Sequence, residues 1–275
     1  MTIISTLISN ICTVHASDSF ITRRTVDGGL ALIEGEQSKI VPVRAWKGAF
    51  SYWGLASCSD YGWNTVDWLR TEASIAGMFR SAEAFASHLA SELRTKLGLM
   101  RFRNPLEQGI GIHFTAYERL HDYEIPELFL ISNWANPSYD SLRDFSVTRE
   151  TFHWVANQAP LESHRDFEFR KSVHEFLQTR KFLVYNNGSP SLFNRAADGL
   201  FAMFCELYQE NTLEQRDEIK TWLRLTRRPI EAVIQAQLDF VRESDRRVGG
   251  QPHALSISPT GEYWSFEGTN TIHHL

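Results

Sequence analysis

Three residues near the start of the chain, Thr2, Asp18 and Lys39, are of types that could together serve amide-bond cleavage. Thr2 follows the first methionine, and a small second residue permits methionine removal. The exposed threonine then carries a hydroxyl and a free α-amine on one residue. An α-amine has a reference pKa of about 7.7–8.0, so a useful fraction is unprotonated near neutral pH and can act as general base. Nucleophile and base are then held together by covalent geometry.

Such a nucleophile needs a cation to favour loss of its proton, a carboxylate to anchor that cation, and a donor for the oxyanion. Asp18 ends the second of two short β-branched segments, where it can lie beside the start of the first. Lys39 is the first lysine of the chain and opens Lys-Ile-Val-Pro-Val, a strand pattern. Gly54 interrupts the bulky run Ala49–Ala56, where a glycine marks close backbone approach, and its N–H suits an oxyanion. The plainer reading of the same residues is a surface ion pair and a bulge. On the catalytic reading, Lys39→Ala abolishes turnover while sparing the fold, and Lys39→Arg also fails because a planar guanidinium does not replace a compact ammonium.

The elements that must position these residues follow from periodicity. Residues 2–8 and 11–16, with Ser9-Asn10 between them, predict a hairpin covered on both faces. Strands are expected as a pair at about 30–34 and 39–43, then at 48–56, 109–118, 127–133 and 182–186, the last ending in an Asn187-Gly188 turn. A final strand at 253–258 leads into Pro259-Thr260-Gly261. Ser81 caps a helix over 81–97, with Phe85, Leu89, Leu93 and Leu97 on one stripe. Further helices are expected near 148–156, 165–179, 192–208, 213–225 and 229–246, with His273-His274 in a disordered end. Strands, helices, strands, helices and strands in that order predict a layered α+β domain spanning 1–275.

Composition bounds the function class. Hydrophobic residues make up 43% and charged residues 22%, ordinary for a globular protein, and the formal charge of −5 provides no basic stripe for nucleic acid. No apolar run is long enough for a membrane helix. Three cysteines are too few and scattered for a disulfide framework or a zinc site. Without Lys or Arg before Arg23, and with Ser5, Thr6, Ser9 and Asn10 interrupting the apolar start, the N-terminal segment does not suit a signal peptide. A cytoplasmic protein is expected.

In combination, these residues resemble the proteasome-type peptidases, a family of N-terminal-nucleophile (Ntn) hydrolases, and among them the bacterial proteasome β subunits. The similarity runs through Thr2, Asp18, Lys39 with Ile40 and Val43, and Gly54-Leu55 followed by Asp60. Late in the chain, Glu231–Val241 resembles the family's last long helix; Asp245 then precedes Gly249-Gly250 and the strand His253–Ser258. The resemblance implies a four-layer αββα sandwich and a threonine peptidase acting on peptides or other amides without metal or cofactor. Its implied catalytic set is Thr2, Asp18, Lys39, Gly54 and Asp245, with Asp245 as the second supporting carboxylate. Tyr52 and Ser189 would contact substrate, and Ser189 or Asn187 would supply a supporting polar group. A homo-oligomeric ring and an ATPase partner are also implied. Several features depart from the family: a longer separation of Thr2 from Lys39, absorbed around Asp27-Gly28-Gly29; Val248 where a serine is common; the bulky Tyr52-Trp53 pair; and a helical insertion at about 135–180. A catalytically silent subunit of the same fold, or an amidase for small amides, are the alternatives.

Overall fold

In a computed structural model, the described residues are 3–24, 26, 30–32, 37–120, 123–136, 138–150, 173–175, 177–178, 182–188, 215–240, 248–267 and 272–274. The expected hairpin forms as β1 (Ile3–Ser9) and β2 (Thr13–Ser17), with Ile4 opposite Ser17 and Ile8 opposite Thr13. The Ser9 hydroxyl tightens its turn by accepting from the Cys12 amide at 3.0 Å. β12 (Phe182–Gly188) pairs with the free side of β1, and β13 (His253–Ile257) with that of β2. β14 (Tyr263–Glu267) and β15 (Ile272–His274) extend this antiparallel sheet to six strands.

A second antiparallel sheet has the order β11 (Leu142–Arg149), β10 (Tyr123–Trp134), β9 (Ile110–Leu120), β6 (Gly48–Gly54) and β5 (Ile40–Val43). A third, small sheet joins β4 (Leu30–Leu32), β3 (Thr22–Arg24), β7 (Ser57–Cys58) and β8 (Trp63–Asn64). The chain is thus mixed α+β with several antiparallel sheets.

Strand alternation assigns the faces. On β6 and β9, Phe50, Tyr52, Ile110, Ile112, Phe114 and Ala116 point to one side, where α1 (Thr65–Ile75) and α2 (Ala82–Gly98) cover them with Val66, Leu69, Phe85, Leu89 and Leu93. Each fully buried Val, Leu, Ile or Phe side chain among them contributes about 1.5–3 kcal/mol. The α2 stripe and its Ser81 cap form as the sequence predicts, with Ser81 Oγ accepting from the Ala84 amide at 3.1 Å. Asn64 caps α1 in the same way, accepting from Val66 at 2.9 Å.

On the first sheet, Ile3, Leu7, Val14, Ala16 and Ala254 face α3 (Gln215–Phe240), whose Ile219, Trp222, Leu223, Ile230, Val233 and Ile234 form the matching stripe. The opposite faces of the two sheets meet through Thr6, His15, Ser51, His113 and Thr115, all buried.

Several expected elements differ. β4 and β5 do not pair with each other: β4 pairs with β3 and β5 with β6. One helix, α3, replaces the two expected at 213–225 and 229–246, and it runs through Pro229. Residues 142–149 are a strand, with Phe145 and Val147 packed on the α2 side of the second sheet. The start of the expected helical insertion is therefore sheet. Residues 173–175 and 177–178 are helical, and Val173 and Leu177 pack on Ile8, Leu128 and Leu183. The helix expected at 192–208 lies outside the described residues. Asn187 and Gly188 belong to β12 rather than to a turn, and His273 and His274 belong to β15.

Candidate active site

Asp18 directly follows β2, and its N–H donates to the Ile3 carbonyl at 3.3 Å, which prolongs the hairpin ladder by one step. Its carboxylate thereby lies beside the first described residue of β1. Asp18 Oδ1 accepts from the Ile3 amide at 3.0 Å and from Lys39 Nζ at 2.9 Å. Both side chains are 0% exposed, which rules out the surface-pair reading. Taking two charges out of water is costly, and their contact is retained only with good geometry and further hydrogen bonds. Burial pushes the Lys39 ammonium below the usual lysine range, and Asp18 partly opposes that shift. Asp18 Oδ2 is enclosed and has no hydrogen-bond partner among the described residues. Thr2 lies outside the described residues. The Ile3 N–H held by Asp18 is nevertheless the amide that joins Thr2 to Ile3.

Ile40, adjacent to Lys39, pairs with Ser51 of β6, and β6 ends three residues later at Gly54. Gly54 has φ +95, a conformation that favours glycine, and a Cβ there would lie 2.2 Å from the Gly109 carbonyl oxygen. The fold therefore requires this glycine whatever its part in chemistry. Between Gly48 and Cys58, Gly54 is the one residue that is not buried.

The two bulky neighbours of Gly54 separate. Tyr52 is fully enclosed on the α1/α2 side, in the core rather than on a pocket wall. Its phenol is pushed well above the usual range, chiefly by burial and then by the charge of Asp18. Trp53 points the other way and lies flat against Gly111, where a Cβ would come within 2.1 Å of its ring. Asp60 is exposed; its Oδ2 accepts from the Val26 amide at 2.7 Å and ties down the enlarged loop.

A polar relay that spacing alone did not reveal approaches β1 from the opposite side. The Gly188 N–H donates to the Tyr139 hydroxyl at 3.1 Å, which donates to Asn187 Oδ1 at 3.0 Å. Asn187 Nδ2 donates to His113 Nε2 at 2.8 Å, which leaves the His113 Nδ1–H to donate to Thr6 Oγ1 at 2.8 Å. His15 completes the network with Ser51 at 2.9 Å and Thr115 at 2.7 Å. Burial pushes His113 down to about 3 and His15 well below the usual histidine range, with the two rings also disfavouring each other's charge at His15. Both are neutral at pH 7. Gly188 sits opposite Ile3, so this relay and the Asp18–Lys39 pair hold the same end of β1. The clue in the sequence was Asn187-Gly188, which its turn propensity disguised. Tyr139 has φ +55 and stands edge-on to Trp53 and Trp134. It has no sequence signature.

The late segment also reaches the site. The Ser19 amide donates to the Gly249 carbonyl at 3.3 Å, and Ser19 Oγ accepts from the Gln251 amide at 2.8 Å. Val248, where the resemblance leads one to expect a serine, is buried with the α3 core. Asp245 and Ser189 lie outside the described residues. Cys12 and Cys58 are free and buried, and burial pushes the Cys12 thiol up to about 12, so it is inert as a nucleophile at neutral pH.

Among the described residues, no helix is long and apolar enough to cross a membrane. Neither a family model nor a curated protein sequence matches the chain.

Proposed function

We propose that this chain is an N-terminal-nucleophile amide-bond hydrolase in which Thr2, freed by removal of Met1, is the nucleophile. The observation that carries this proposal is the enclosed Asp18–Lys39 pair whose carboxylate also holds the Ile3 amide. An ion pair is costly to bury, and this one is buried at the residue after a threonine that can bear its own base. The packing supports the same reading: helices cover the outer face of each of two stacked sheets, as an αββα sandwich requires.

In the proposed reaction, Thr2 Oγ1 attacks the amide carbonyl and its proton passes to the Thr2 α-amine. The Lys39 ammonium lowers the hydroxyl pKa, and Asp18 orients Lys39. The Gly54 N–H stabilises the oxyanion, a contribution worth roughly 10²–10³ in rate for one such donor. Breaking the C–N bond releases an amine that takes the proton. Water, deprotonated by the α-amine, then cleaves the threonine ester and releases the acid. Asp245 and Ser189 retain their proposed supporting roles, while the enclosure of Tyr52 assigns it to the core.

Intact mass tests the premise. A mass lower by one methionine residue supports the proposal, and full retention of Met1 defeats it, because an acylated nitrogen is not a base. A homo-oligomeric ring, with or without an ATPase partner, belongs to the peptidase form of the proposal. Light scattering reads it as a multiple of 31.6 kDa, and a monomer of that mass removes it. The buried Val248 favours a second reading, a catalytically silent subunit, which the same premise test separates.

A further inference from the structure

We infer that the site accepts a compact amide rather than an extended polypeptide, an inference that rests on the hydrolase proposal above. An extended peptide normally binds by adding a strand to an open backbone edge, so that main-chain hydrogen bonds align the scissile carbonyl. Downstream of Gly54, the Leu55 amide and the Leu55 and Ala56 carbonyls are already held within the protein, the first of them along the β9 edge. The Leu55 amide donates to the Gly109 carbonyl at 2.9 Å, and the Leu55 carbonyl accepts from Thr65 Oγ1 at 2.6 Å. The Ala56 carbonyl accepts from the Thr65 amide at 2.9 Å. β7 follows at once and is a central strand. Ser57 and Cys58 pair with Arg23 and Arg24 of β3 on one side, and with Asn64 and Trp63 of β8 on the other.

The enlarged loop between β2 and β5 therefore has a consequence. Its β3–β4 hairpin closes, against β7, the groove through which an extended chain would leave Gly54. Upstream, β9 covers one edge of β6 as far as Gly54, and β5 covers the other only from Gly48 to Ser51. Among the described residues, the edge of β6 without a strand partner is limited to Tyr52–Gly54, on the side from which Lys39 enters β5. Across the site, the Ser19 amide and hydroxyl are held by Gly249 and Gln251. Within that edge only Gly54 is half-exposed, and Trp53, Leu55 and Ala56 around it are all buried. Among the described residues this leaves no strand-like subsite on either side of Gly54, which suits a small acyl group joined to an amine.

The test compares two acylating probes with the same β-lactone ring on the full chain, one with only a short alkyl substituent and one with a blocked tetrapeptide. In each, Thr2 Oγ1 bonds to the lactone carbonyl, the ring C–O bond breaks, and the hydroxyl proton passes through the α-amine to the released alkoxide. Mass spectrometry follows the Thr2 ester with time. The alkyl probe is expected to label Thr2 at least roughly tenfold faster, about 1.4 kcal/mol in barrier. Replacing residues 22–32 by a short Gly-Ser linker is expected to narrow that gap by freeing the β7 edge. Equal or faster labelling by the tetrapeptide probe in the natural chain overturns the inference while leaving the hydrolase proposal standing. No labelling of Thr2 by either probe overturns both.

Discussion

Lys39 Nζ lies 2.9 Å from Asp18 Oδ1 where water does not reach, and the same oxygen holds the amide that follows Thr2. Lys39→Met leaves the carboxylate enclosed without its counter-charge, which costs about 3–5 kcal/mol. Urea unfolding should register that loss, and Thr2 should no longer be acylated. Adding Asp18→Asn should restore most of the stability and none of the reactivity. The sequence alone suggests that truncating Lys39 spares the fold, and complete burial reverses that expectation. A single variant as stable as the natural chain would show that the pair is not enclosed.

Lys39→Arg keeps the charge but places a planar group with five donors where one ammonium fits. It should be both destabilised and unreactive toward a β-lactone. Wild-type labelling by the arginine variant would reduce Lys39 to a generic cation.

The two buried histidines set an acid limit. Their folded pKa values lie below the unfolded value of about 6.5, with His113 at about 3. The stability of the neutral forms is fully present above about pH 6.5 and declines as pH falls toward 3. The urea midpoint should therefore be level from pH 8 to 7 and drop steadily below 6.5. His113→Gln should drop less steeply, and parallel curves for the two proteins would contradict the assignment.

Tyr139→Phe removes the acceptor for the Gly188 N–H and the donor to Asn187 Oδ1, leaving two largely buried groups unpaired at about 1–3 kcal/mol each. Because Gly188 faces Ile3, acylation of Thr2 should slow by roughly tenfold while near-UV circular dichroism stays native. An unchanged rate with lowered stability would make the relay purely structural.

The parts of this fold visible in the sequence are those where local pattern and burial agree. The β1–β2 hairpin, the capped stripe of α2 and the order Asp18, Lys39, Gly54 are examples. Elsewhere tertiary packing outweighs local preference. Pro229 ought to end a helix, at a cost of about 3 kcal/mol. Yet Trp222 and Leu223 before it and Ile230, Val233 and Ile234 after it lie on one unbroken stripe against the first sheet, and α3 runs on. β11 presents only Phe145 to the core as a buried side chain, too little alternation to announce a strand. Asn187 and Gly188 read as a turn because their types favour one, but pairing with Ile4 and Ile3 places them in β12, with Gly188 at φ +114. The Tyr139 relay joins residues far apart in the chain, a relationship that periodicity does not encode.

The central claim is that Thr2 is the nucleophile, and locating the ester left by a small alkyl β-lactone tests it most directly. Tandem mass spectrometry of the treated protein should find a chain beginning at Thr2 with a single acyl group on the Thr2 hydroxyl, absent from the Lys39→Met variant. A chain that retains Met1, or an acyl group carried by any other residue, would contradict the account.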